Sequence, residues 1–237
     1  MFAALVAALL VAVLIGGEAY ARHVVKDCLT SQFREQLGSD VDVRLGGKPV
    51  LVEMIDHKVP KITIKSKDGR FGPAAGMSVH AVARDIRLEG DSKRAGTIGS
   101  SQADVSWGNQ GIAATLKAQP FGGLISAVSS NPSDGTLTFQ VGPALAQFVV
   151  KPVITNGTVD VQTKEASVLG FGLPTDLVDG IVKVIADGLQ NYPIGMQAKT
   201  LKVTDDGVQL HLAGNAYDLP NAKNGGNSSC TKAAKAA

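Results

Sequence analysis

The stretch Leu201-Lys-Val-Thr-Asp-Asp-Gly-Val-Gln-Leu-His-Leu212 decides the fold. On either side of Asp206-Gly207, apolar and polar residues alternate with a period of two, so each arm turns one face to a core and one to water. Asp-Gly between such arms is turn chemistry, and the segment reads as an antiparallel hairpin. The same period recurs outward along the chain. It runs through Val41 to Leu45, Ile62 to Ile64, Met77 to Val82 with Ile86 to Leu88, Ala103 to Trp107, Leu137 to Val141 and Val159 to Thr163. Asn156-Gly157 joins two more such arms in a two-residue hairpin that needs positive φ, and Asp68-Gly69 marks a further turn.

Two segments follow the helical period instead. From Ala19 to Leu37, the residues Ala21, Val25, Cys28, Leu29, Phe33 and Leu37 share one face, and Gly38 supplies a stop. Late in the chain Pro174 pre-sets a first turn, with Thr175 and Asp176 able to cap it. Leu177, Ile181, Ile185 and Leu189 then recur every four residues, flanked by Val178 and Val182, while Asp179, Lys183, Asp187 and Gln190 take the other face. The pattern predicts an α+β protein built mainly of antiparallel sheet.

Composition bounds the function. The 237 residues hold 23 Lys+Arg against 21 Asp+Glu, a formal net charge of +2, without the basic surplus of a nucleic-acid binder. Hydrophobic residues at 44% exclude a disordered chain and fall short of a polytopic membrane protein. With 27 Gly and only 5% aromatics, the core is aliphatic and the fold rich in turns. Nothing divides residues 22–220, which read as one domain. From Asn221 to residue 237 the composition is that of a mostly disordered tail.

Phe2 to Gly17 carries no charge, and Ala19-x-Ala21 follows it with the small residues a signal peptidase accepts. Residues 1–21 therefore read as a signal peptide or a membrane anchor, with a core helix as the third alternative; the first two place the body outside the cytoplasm. The only cysteines are Cys28 and Cys230. In an oxidising compartment they would pair, closing a loop worth about 5 kcal/mol in the chain-entropy model; otherwise they stay as two free thiols.

The usual catalytic constellations are absent: no HExxH, GxSxG, SxxK or P-loop occurs. His80 and His211 sit on the polar phase of strands, and His57 between Asp56 and Lys58 reads as loop. The expectation is a protein that is not an enzyme and uses no metal or cofactor.

A wider pattern is carried by Pro193-x-Gly195, the hairpin about Asp206-Gly207 and its close at Gly214. Val41-Asp-Val-Arg-Leu-Gly-Gly-Lys-Pro-Val-Leu51 and Ala113-Ala-Thr-Leu116 add to it. Together these resemble an actinobacterial envelope family long of unknown function, nearest to its mycobacterial branch that maintains lipomannan elongation; Tyr192 stands where Leu is commoner. The resemblance implies a strongly curved antiparallel sheet wrapped around a long helix, similar to tubular, BPI-like lipid-binding folds. It further implies a periplasmic, membrane-associated protein that binds phospholipids, notably inositol phospholipids, and supports lipomannan and envelope biosynthesis without catalytic residues.

On that reading acyl tails lie against Leu177, Val178, Ile181, Val182 and Ile185, and Phe121, Leu124 and Ile125 form a mouth beside paired glycines. The same residues would equally serve a filled core and a short core helix. Lys93 and Arg94 offer cationic donors to a headgroup phosphate, or form a solvated pair. The alternative function is an adaptor that holds no lipid and docks on a membrane glycosyltransferase, such as a mannosyltransferase.

Overall fold

A computed structural model of the protein describes residues 16–27, 30–31, 34, 39–66, 69–88, 94–142, 146–168, 175–190 and 192–220. Every strand pairing among them is antiparallel. The larger sheet takes β1 (Val41–Gly46), β2 (Lys58–Ser66), β5 (Met77–Arg87), β6 (Arg94–Gly108), β12 (Gly207–Gly214) and β11 (Gln197–Thr204), in that spatial order. A seventh strand, β13 (Tyr217–Pro220), pairs with the first half of β6. A second sheet has the order β10 (Thr158–Val168), β9 (Ala146–Thr155), β8 (Thr136–Val141), β7 (Ile125–Asn131). Between β2 and β5 lies a small hairpin of β3 (Arg70–Phe71) and β4 (Ala74–Ala75). Among the described residues, 16–27 are helical, and after β1 come the helices α1 (Val50–Asp56), α2 (Asn109–Lys117) and α3 (Thr175–Gln190). Apart from that small hairpin, the described strands divide between two sheets, and α3 at 16 residues spans about 24 Å.

The sequence periods act where expected. Asn156 and Gly157 have φ of 53° and 78°, the left-handed pair that lets β9 and β10 twist together across a two-residue turn. The alternating arms of β11 and β12 pair in register from Val203–Val208 to Leu201–Leu210. Their inward residues enter one core with those of the smaller sheet. Trp107, Ile112, Leu116, Leu137, Phe139, Phe148, Ile181 and Ile185 are all buried there. The Phe139 and Phe148 rings meet at 6.1 Å, tilted by 37°, a geometry worth about 0.5–1.5 kcal/mol beyond the area they bury.

Polar contacts dock the N-terminal helical residues 16–27. Arg22 donates to the carbonyls of Leu45 and Lys48 at 3.0 and 3.1 Å. Pro49, the residue before α1, offers that helix no side-chain cap, so the Val50 N–H donates instead to Glu18 Oε1 at 2.8 Å. Lys26 reaches Asp42 of β1 at 2.9 Å. Cys28, Cys230, Lys93 and the C-terminal residues 221–237 lie outside the described residues, as does the uncharged run 2–15.

Candidate functional site

The stripe Leu177, Ile181, Ile185 and Leu189 is at most 5% exposed and packs into the shared core. Protein atoms cover Ile181 and Ile185 completely, so their surface is already filled from within. Their neighbours Val178 and Val182 are half-buried at the margin of that core. Asp179, Lys183 and Asp187 are exposed on the outer face as the period predicts, Lys183 and Asp187 paired at 3.0 Å.

Two glycines of α3 that the apolar pattern does not explain seat aromatic rings, Gly180 on its other margin and Gly188 within the buried stripe. A Cβ on Gly180 would lie 2.6 Å from Phe121 Cε1, and one on Gly188 would lie 2.6 Å from Trp107 Cζ3. Each ring occupies the space that a side chain would take. Trp107 is held there by its Nε1, which donates to the Ala75 carbonyl at 2.8 Å. At 100° per residue, Gly180 points about 160° away from both Val178 and Val182. The structure therefore brings Phe121 to α3, but on the flank opposite the two valines.

Phe121 precedes a 3-10 turn, Gly122–Leu124, that leads into β7. The mouth expected of Phe121, Leu124 and Ile125 is narrower than its sequence suggested. Ile125 is 3% exposed and belongs to the core, Phe121 is half-buried, and Leu124 alone stands out at 49% exposure. Alternation from Ile125 onward is the cause, since β7 turns that first residue inward.

Arg94 is the first residue of β6, paired with Pro220, rather than part of an open loop. A different set of cations converges instead on the outer face of the larger sheet. Cross-strand register sets Lys61 directly opposite Arg84, and Arg44 opposite Thr63 in the adjacent row. One row further, Lys65, His80, Asp104 and His211 stand side by side on β2, β5, β6 and β12. His211 Nδ1 and Asp104 Oδ1 are 2.7 Å apart. Arg44, Lys61, Lys65 and Arg84 line a depression of about 540 Å³, in which Asp104 is the single carboxylate. A second depression of about 410 Å³ adjoins it at Asp104, lined by Ser106, Thr200, Lys202, Gln209 and His211.

The polar phase of β2 and β5 held the signal for this cluster, because Lys61 and Lys65, like His80 and Arg84, are four residues apart on one strand face. Only the register reveals that the two pairs meet. Among the described residues no three His, Cys, Asp or Glu side chains are grouped to hold a metal. No described helix is long and apolar enough to cross a membrane.

Comparison with known proteins identifies a family. A family model described as LmeA-like phospholipid-binding matches residues 12–213. One uncharacterized protein of Mycobacterium bovis and two of Mycobacterium tuberculosis are each 28% identical to the chain over 209 residues. The alignments cover 86% of this chain and 60% of each relative, so the chain spans well under two thirds of their length. No solved structure matches.

Proposed function

The chain belongs to the LmeA-like phospholipid-binding family, and from that premise we propose that it is a non-enzymatic phospholipid carrier of the cell envelope. Its ligand in this reading is an inositol phospholipid, its place the periplasm, and its role the support of lipomannan biosynthesis alongside a membrane mannosyltransferase. The uncharged run Phe2–Gly17 supports a location at or beyond the membrane. In this proposal the two sheets and α3 take the part of the tube in tubular lipid-binding proteins.

The observation that carries the reading is the family match over residues 12–213. Geometry limits where hydrocarbon can lie. Since the Leu177–Leu189 stripe is already filled by protein, tails lie along the margins of α3, against Val178 and Val182 or against Phe121 and Leu124. Ten methylenes buried on such a margin would contribute about 8 kcal/mol before the cost of association is subtracted.

Organic extraction of the purified protein, followed by mass spectrometry, tests this. About one phospholipid per chain is expected, enriched in inositol lipids. A delipidated protein that takes up none from phosphatidylinositol vesicles would end the reading. Val182→Trp and Leu124→Asp are expected to lower uptake while leaving the circular dichroism spectrum intact.

A further inference from the structure

Charge on the outer face of the larger sheet is distributed in a way that its own packing does not explain. Lys61 and Arg84 are direct cross-strand partners, and like charges so placed weaken a sheet. Neither makes an ion pair with a carboxylate among the described residues, and Lys65 makes none either, although the register sets it opposite Asp42, whose carboxylate is held by Lys26 and Arg44. Arg44 meets Asp42 at 2.7 Å through Nε. The one carboxylate in the depression, Asp104, is engaged by His211. A chain with a formal net charge of only +2 thus gathers four cationic side chains around a single recess.

We propose that this recess binds phosphate oxyanions, presented as a phospholipid headgroup or as a soluble phosphate ester. Lys61 and Arg84 contact the phosphate from adjacent strands. Arg44 and Lys65 flank it, so that an anion offsets the repulsion between Lys61 and Arg84. Its size suits a headgroup, and it opens beside Leu45, whose carbonyl holds Arg22 of the N-terminal helical residues. The phospholipid reading above supplies only one of the two possible sources of the phosphate; the site itself stands on the register and the unpaired charges.

The test uses the full chain and two double variants of equal charge change. Lys61→Gln/Arg84→Gln alters the recess, whereas Lys117→Gln/Lys183→Gln alters exposed positions on α2 and α3. Inorganic pyrophosphate is titrated calorimetrically at low salt, and flotation compares phosphatidylglycerol vesicles with phosphatidylcholine vesicles. The recess variant should bind pyrophosphate about ten-fold or more weakly than the control variant. Pyrophosphate should raise the melting temperature of wild type and control but not of the recess variant. Without anion the recess variant should melt no lower than wild type, which separates lost binding from lost folding. Equal losses in both variants, or no pyrophosphate binding by wild type, would overturn the proposal. Selective loss of pyrophosphate and of phosphatidylglycerol vesicles together assigns the recess to a lipid headgroup. Selective loss of pyrophosphate in a protein that extracts no phospholipid keeps the site, assigns it to a soluble ester, and removes the carrier function instead.

Discussion

The backbone N–H of Val159 donates to Tyr192 Oη at 3.0 Å. Gln190 Nε2 donates to the carbonyl of the same residue at 2.7 Å. Val159 lies on β10, an edge strand of the smaller sheet, so both backbone groups would otherwise face outward unpaired. The end of α3 thereby closes this edge, and the residue that departs from the expected Leu has a structural task. Burial pushes the Tyr192 phenol above its usual range, against the opposing pull of the Val159 N–H, so it stays protonated throughout the physiological range. Tyr192→Phe should cost about 1–2 kcal/mol and lower the melting temperature by several degrees. An unchanged melting curve would mean that water satisfies the Val159 amide equally well.

Helix propensity alone says that replacing glycine by alanine within α3 should stabilise it by about 1 kcal/mol. The Trp107 ring reverses that sign at Gly188, because a methyl would enter at 2.6 Å from a ring whose indole N–H is tied to Ala75. Gly188→Ala should therefore destabilise by about 1–3 kcal/mol. Asp187→Ala, one residue away on the exposed face, should stay within about 0.5 kcal/mol of wild type. Urea denaturation of the two variants side by side decides the matter.

Asp42 links the N-terminal helix to β1. Hydrogen bonds first from Lys26 and then from Arg44 hold its carboxyl down to about 2, against an ordinary 3.8. A depressed carboxyl contributes stability above its unfolded pKa and loses it as pH falls through the folded value. Asp42→Asn should therefore be less stable than wild type at pH 6, by up to about 1 kcal/mol for a solvent-screened pair. The difference should fade between pH 4 and pH 2. A gap that persists at pH 2 would assign the loss to something other than this charge.

Glu53 behaves in the opposite sense. It is 5% exposed, and its Oε1 is buried without a hydrogen-bond partner among the described residues. Burial raises its carboxyl above 4.5, with Arg22 pulling the other way. The folded state favours the protonated acid, so the cost of ionisation appears as pH rises above 4.5 and grows until the folded carboxyl has ionised. Glu53→Gln should be more stable than wild type at pH 7, and the advantage should shrink on acidification to pH 4. Thermal unfolding at the two pH values measures it.

Period-two alternation made most of the strands legible, since a half-buried strand writes its burial into every second residue. The stripe of α3 was legible for the same reason at period four. The division into two sheets was not, because pairings such as β6 with β12 join residues a hundred positions apart. Nor was α1, whose seven residues are too few to display a helical period and which draws its first cap from Glu18, far away in sequence. Arg94–Ser100, rich in small residues, carries too little apolar contrast to show that β6 begins there. Of the candidate site, the cations on β2 and β5 were visible singly, but their meeting depends on a register that no single strand encodes. The apolar candidates on α3 were visible as a set, and the choice between core and ligand wall depends on what covers them.

Gly180 and Gly188 are eight positions apart, so the two rings seated on α3 are spaced about 12 Å along its axis. They index the helix like two pins in a rail. A slide by one turn would drive both rings into side chains at once, which fixes α3 lengthwise; any motion that admits a guest beside it must be a swing or a roll.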